Sequence, residues 1–245
     1  MVSAIVLIPS RMAASRLPDK PLADVAGLPL VVQVLRRAIE AGVGPVVVAC
    51  CDRPVAEAVE QAGGQAIMTD PAHPSGSDRI FEALQTVDPG CRHDIVVNLQ
   101  GDLPTIPPAD VAAVLDALTS SGADVATIAA EIRSERERGA ESVVKAIVSL
   151  QPGSVQGPAL YFTRTTAPWG EGPHYHHIGI YAYRREALAR FVALAPAPLE
   201  RRERLEQLRL LENGLRITCR IVDTVPLGVD TPEDLEEARR LLGAR

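Results

Sequence analysis

The sequence predicts a Rossmann-like, doubly wound α/β fold with a mostly parallel sheet. Through residues 3–119, short apolar runs alternate with amphipathic stretches of helical period, and Gly and Pro punctuate the joins. Three of those runs, SAIVLI (3–8), PVVVAC (45–50) and DIVVNL (94–99), are almost unbroken by polar residues. Strands covered on both faces read this way.

The elements follow in order. Residues 3–8 form the first strand. Over 29–41, Leu30, Val31, Val34, Leu35, Ala38 and Ile39 recur at helical spacing until Gly42 stops the helix. A strand at 45–50, a helix at 53–62 closed by Gly63 and Gly64, and a strand at 65–68 continue the rhythm. A helix at 78–87, a strand at 94–99, a helix at 108–119 and a strand at 125–132 complete the alternating half. Beyond it, 134–141 is a polar turn or short helix, and 143–150, 160–162 and 178–183 read as strands. Helices at 188–194 and 199–211, a strand at 215–222 and a helix at 231–242 close the chain. In such a sheet ligands gather beyond the carboxyl ends of the strands, so 9–20, 51–53 and 100–104 are expected at one crevice.

Composition narrows the partners. Of 245 residues 47% are hydrophobic and 23% charged, with a formal net charge of −6. That balance lacks the broad basic face of a nucleic-acid binder. The four cysteines show no CxxC or Cys/His ligand spacing and are expected to be reduced, which suits the cytoplasm. No basic-then-apolar leader and no apolar run of about 18–20 residues is seen, so no membrane partner is expected.

Against this acidic background, IPSRMAASRLPDKPL (8–22) places Arg11, Arg16 and Lys20 in the loop after the first strand. It contains neither the P-loop nor the dinucleotide glycine pattern. Ser10 and the small residues after it allow close backbone approach, so the loop is either a polyphosphate cradle or a solvated surface. VNLQGDLP (97–104) delivers Gln100, Gly101 and Asp102 to the same crevice. Asp102 is either a Mg2+ ligand bridging to phosphate or a turn-capping carboxylate. In GVDTPEDL (228–235), Thr231, Pro232 and the acids after them suit a helix start, and Asp230 is a second metal ligand or part of that cap. HPSGSDRI (73–80) opens a helix at Ser75 and Gly76, with Asp78 and Arg79 placed to pair together or to read a base edge. Arg164, leaving a strand beside the only Trp, suits a carboxylate. His176 and His177 lack zinc-ligand partners and fit hydrogen bonding to a polyol better. Glu206 and Gln207 are expected on a helix whose Leu205, Leu208 and Leu211 face the core.

Seven strings, IPSRMAASRLPDKPL, HPSGSDR, VNLQGDLP, YFTRTTAPW, HHIGIYAYR, LEQLR and GVDTPEDL, together resemble the 3-deoxy-manno-octulosonate (Kdo) cytidylyltransferase, or CMP-Kdo synthetase, family. They occur in family order over nearly the whole chain. The resemblance implies one cytidylyltransferase domain, 1–245, of nucleotide-diphospho-sugar transferase type, with an embedded strand-rich sugar-binding and dimerisation lobe at about 125–194. It implies a homodimer that transfers CMP from CTP to the anomeric hydroxyl of Kdo, for lipopolysaccharide synthesis. By the same pattern, Arg11 and Lys20 hold the triphosphate, Asp102 and Asp230 ligate Mg2+, and Ser10, Ser75, Gly76, Arg79 and Gln100 complete the nucleotide site. Arg16, Gln100, Arg164, His177, Tyr181, Glu206 and Gln207 match positions around the sugar acid. Leu103, Asp19 and Gly170 depart from the family pattern, which leaves an amino-sugar variant of Kdo as a rival acceptor; a sialic acid or a polyol phosphate is the other alternative, over which Arg164, His177 and the LEQLR helix favour Kdo.

Overall fold

The computed structural model describes residues 3–12 and 17–243. The chain divides into two compact units, Met1–Ala112 with Pro226–Arg245, and Ala113–Val225.

The first unit opens with β1 (Ala4–Ser10), a 3-10 turn (Lys20–Leu22), the two-residue strands β2 (Asp24–Val25) and β3 (Leu28–Pro29), and α1 (Leu30–Glu40). Then come β4 (Val46–Cys50), α2 (Arg53–Gln61), β5 (Gln65–Met68), α3 (Gly76–Val87) and β6 (Ile95–Leu99). The strands lie in the order β5-β4-β1-β6, all parallel. Val6, Leu7 and Ile8 at its centre have no exposed surface. That is why β1 is apolar at every position from Ala4 to Ile8 rather than at every second one. The β2–β3 hairpin escapes sequence reading because its turn, Ala26-Gly27, has two left-handed residues (φ 53° and 83°) without the usual Asn or Asp signal.

Helix α4 (Pro108–Thr119) leads into the second unit, which holds β7 (Val125–Glu131), α5 (Glu135–Gly139), β8 (Lys145–Val148), β9 (Gln156–Thr163) and β10 (Tyr175–Arg184). It ends with α6 (Arg185–Ala193), α7 (Pro198–Glu203), α8 (Leu208–Glu212) and β11 (Ile217–Val222). Only β7 and β11 pair in parallel; β10–β7, β11–β9, β8–β9 and β10–β8 are antiparallel. The expectation of a mostly parallel sheet is therefore corrected to a mixed one. Parallel neighbours need crossover connections, whereas the short turn between β8 and β9 returns the chain directly alongside itself. Because β10 pairs with both β7 and β8, these five strands close into a ring.

The expected helix over 199–211 is also corrected. Arg204 is left-handed (φ 57°) and ends α7, and Glu206 and Gln207 lie in the turn before α8. Arg209 Nε sits 2.8 Å from Glu200 Oε2 and its Nη2 sits 2.5 Å from Oε1. Residues nine apart on a continuous helix would be separated by about 13.5 Å along the axis, so this buried pair requires the break. The final helix, α9 (Pro232–Gly243), returns to the first unit and packs on β2, where Arg239 Nε donates to the Asp24 carbonyl at 2.8 Å.

Candidate active site

Five segments of the first unit meet at a cleft of about 370 Å³ at the carboxyl ends of β1 and β6. The end of β1 supplies Ser10 and Arg11, and the 3-10 turn supplies Lys20. The start of α3 supplies Ser75, Gly76 and Arg79; the turn after β6 supplies Gln100, Gly101 and Asp102; Asp230 precedes α9. The structure thus brings together all the residues expected around the nucleotide and both expected metal carboxylates. Arg16 lies outside the described residues.

Each segment is positioned by local chemistry. Ser75 caps α3, its Oγ accepting the Asp78 N–H at 3.3 Å and donating to Asp78 Oδ2 at 2.7 Å. The capped N-terminus of α3, where Ser75 and Gly76 line the cleft, is the end at which helical N–H groups lack helical partners. Gly76 and Gly101 keep the walls close: a Cβ at 76 would stand 3.2 Å from the Pro9 ring, and one at 101 only 2.7 Å from the Pro9 carbonyl. Arg79 is 2% exposed, and its Nη1 donates to Thr69 Oγ1 at 2.5 Å.

The acidic edge is fixed through the backbone. Val229 N–H donates to the Asp102 carbonyl at 2.9 Å, and Leu227 N–H to Thr105 Oγ1 at 2.8 Å. Asp234 Oδ2 accepts the N–H groups of Asp230 and Thr231 at 3.0 and 2.9 Å. Thr231 Oγ1 in turn accepts the Asp234 N–H at 3.2 Å, so Thr231 and Asp234 cap α9 reciprocally and the Asp230 carboxylate turns to Lys20. Lys20 Nζ lies 3.1 Å from Asp102 Oδ2, 3.1 Å from Asp230 Oδ1 and 2.7 Å from the Val229 carbonyl. Of the departures noted in the sequence, Asp19 is left-handed (φ 55°), a conformation Asp tolerates better than most side chains. Leu103 is buried beside Gly228.

His73 and Asp52 were not singled out from the sequence. His73 lines the cleft, with Nε2 2.5 Å from Glu82 Oε2. The Asp70 N–H, and then His73, lower the Glu82 pKa against the opposing effect of burial. Asp52 Oδ2 accepts the Met12 N–H at 2.8 Å and anchors the start of the cationic loop. Its place at the carboxyl end of β4 was the available signal.

The remaining candidates lie in the second unit. His177 is 9% exposed, with ring neighbours Phe162 at 4.7 Å and Tyr181 at 5.5 Å. Thr127 Oγ1 donates to the Ile180 carbonyl at 2.8 Å, so the neutral His177 ring is the donor in its 3.0 Å contact with that oxygen. Burial, then the charge of His176, pushes the His177 pKa down to about 3. Burial, then the negative charge of Glu206, raises that of Tyr181. Gln207 is 6% exposed and Glu206 lies 3.8 Å from Arg209. Arg164 directs Nε to the Glu203 carbonyl at 2.9 Å and Nη1 to that of Glu141 at 3.1 Å, fastening the end of β9.

A parallel β/α unit with a cationic, acid-edged cleft at its strand ends defines an α/β nucleotide-binding protein of nucleotidyltransferase type. A family model described as "Cytidylyltransferase" matches residues 5–217. The 3-deoxy-manno-octulosonate cytidylyltransferase of Rhodospirillum centenum is 66% identical over 98% of this chain and 94% of its own. That of Paramagnetospirillum magneticum is 59% identical over 99% of both chains. A solved CMP:2-keto-3-deoxy-manno-octonic acid synthetase complexed with CTP superposes with a TM-score of 0.91, at 40% identity over 99% of both chains. The UTP-bound UGPase of Acinetobacter baumannii, at 14% identity and TM-score 0.69 over 99% of this chain and 94% of its own, shares the fold. The chain belongs to the 3-deoxy-manno-octulosonate cytidylyltransferase family.

Proposed function

We propose that this protein transfers CMP from CTP to the anomeric hydroxyl of Kdo, releasing pyrophosphate. The observation that carries the reading is the convergence of Arg11, Lys20, Asp102 and Asp230 on one cleft beside the start of α3. In the reaction the sugar hydroxyl oxygen forms a bond to the α-phosphorus, the bond from that phosphorus to the β-phosphate bridge breaks, and the hydroxyl proton passes to solvent. Arg11 and Lys20 neutralise the triphosphate and the charge that grows on the leaving pyrophosphate. Ser10 and the first turn of α3 offer N–H groups to phosphate or ribose, and Arg79, Ser75, Gly76 and Gln100 enclose the base.

The donor set fits magnesium. Among the described residues no cluster of three or more His, Cys, Asp or Glu forms a metal cage. Two carboxylates converge here on one positive charge, and Mg2+ is commonly held by one or two carboxylates with phosphate oxygens and water. Asp102 and Asp230 would hold it, and when bound it would polarise the α-phosphate and orient the sugar hydroxyl.

For the sugar we assign Arg16, Gln100, Arg164, His177, Tyr181, Glu206 and Gln207. A neutral His177 and a protonated Tyr181 suit hydroxyl recognition, since both stay uncharged when buried. We assign the product to lipopolysaccharide synthesis in the cytoplasm. We also assign a homodimer built through a lobe at about 125–194, supported by the exposed Trp169, Leu160 and Val155.

The experiment is 31P NMR of the product made from Kdo labelled with 18O at the anomeric hydroxyl. An isotope shift on the CMP phosphorus is expected; label-free CMP phosphorus would overturn the reading.

A further inference from the structure

The arrangement of Lys20 goes beyond holding a triphosphate, and the inference rests on the metal assignment just proposed. An ammonium group has three N–H donors. The Asp102 carboxylate, the Asp230 carboxylate and the Val229 carbonyl are three acceptors within 3.1 Å of Nζ. In this state Lys20 has no donor left for a phosphate. Its positive charge also stands between the two carboxylates assigned to the metal, where a divalent ion and an ammonium would repel each other strongly.

We propose that, without nucleotide, Lys20 is a built-in counter-ion for Asp102 and Asp230, and that the triphosphate admits a divalent cation by drawing the ammonium away. The surroundings suit such a swing. The backbone of Lys20 is set by the left-handed Asp19 before it and Pro21 after it, so the flexible part is the four-carbon side chain. The carboxylates stay in place when it leaves, because Val229 N–H is tied to the Asp102 carbonyl and Asp230 N–H to Asp234. One lysine thus serves two anionic partners in turn, and metal loading follows nucleotide loading.

The test is a titration of the nucleotide-free protein with Mn2+, read by electron paramagnetic resonance of the free ion. Lys20→Gln is expected to bind Mn2+ at least about tenfold more tightly than wild type, because the ammonium charge set against both carboxylates is removed. Lys20→Met, which removes the charge through a different side chain, is expected to show the same gain. Arg11→Gln is expected to gain less than about threefold, since Arg11 contributes only screened charge. Lys20→Gln/Asp102→Asn is expected to return to the wild-type affinity. Equal binding by wild type and both Lys20 variants, an equal gain in Arg11→Gln, or a gain that survives Asp102→Asn would each overturn the proposal. Thermal melts check that each variant is folded. Failure here leaves pyrophosphate release from CTP and Kdo by the wild type intact, whereas failure of the proposed reaction removes that release without altering the Mn2+ titration.

Discussion

Arg79 donates through Nη1 to Thr69 Oγ1 at 2.5 Å, and the Thr69 hydroxyl donates to the Cys50 carbonyl at 3.0 Å. A buried guanidinium is thereby held by the end of β4. Thr69→Val keeps the shape but leaves the guanidinium without this acceptor, at a cost of about 1–3 kcal/mol. The expected outcome is a raised KM for CTP with KM for Kdo unchanged, measured in steady-state assays alongside a lowered Tm.

Gly101 has no room for a side chain. A methyl group there would sit 2.7 Å from the Pro9 carbonyl. Gly101→Ala must separate the turn after β6 from β1, destabilising by about 1–3 kcal/mol. Denaturant melts should show the loss, with CTP affinity falling as the two walls part.

Asp102→Asn and Asp230→Asn each remove a charge and conserve shape. Turnover should fall by about 10²-fold or more in each, as for other losses of electrostatic stabilisation at a reacting centre. Circular dichroism should show the fold retained. Near-normal turnover in either variant would remove that residue from the ligand set.

His177 shapes the acid limb of stability. Its folded pKa is lowered from 6.5 to about 3, so below pH 6.5 the unfolded chain takes up a proton that the folded chain refuses. Stability is therefore present above about pH 6.5 and declines on acidification toward pH 3, by up to about 1.4 kcal/mol per unit. His177→Gln should flatten that limb in melts recorded across the window.

Arg209 and Glu200 form a buried bidentate pair beneath Phe191, whose ring centre lies 4.9 Å from the guanidinium carbon. Arg209→Met strands the Glu200 carboxylate and should cost about 3–5 kcal/mol. Arg209→Lys cannot restore two parallel bonds and should recover only part of the loss in Tm.

The first unit was legible because burial on both faces of β1, β4 and β6 leaves an unmistakable apolar run, and because the parallel order places every strand end at one edge. Ser10, Lys20 and Asp102 group by that rule; Asp230 does not, and enters only through its motif and the family resemblance. The second unit was less legible. Its strands pair antiparallel through short turns, and nothing local in KAIV or YHHIGIYAYR specifies that β10 has two neighbours. The break at Arg204 was hidden for a similar reason: the leucine spacing of 199–211 suits a helix, and only the tertiary pairing of Glu200 with Arg209 overrides it. His73 went unnoticed because its motif reads as a turn, and its place in the cleft depends on Glu82, nine residues away on α3.

The central claim is tested most directly by pyrophosphate release with Mg2+ from each of the four nucleoside triphosphates, with and without Kdo, 8-amino-Kdo or N-acetylneuraminate. The account predicts release only when CTP and Kdo are both present. Release with CTP alone, or with CTP and N-acetylneuraminate but not with Kdo, would contradict it.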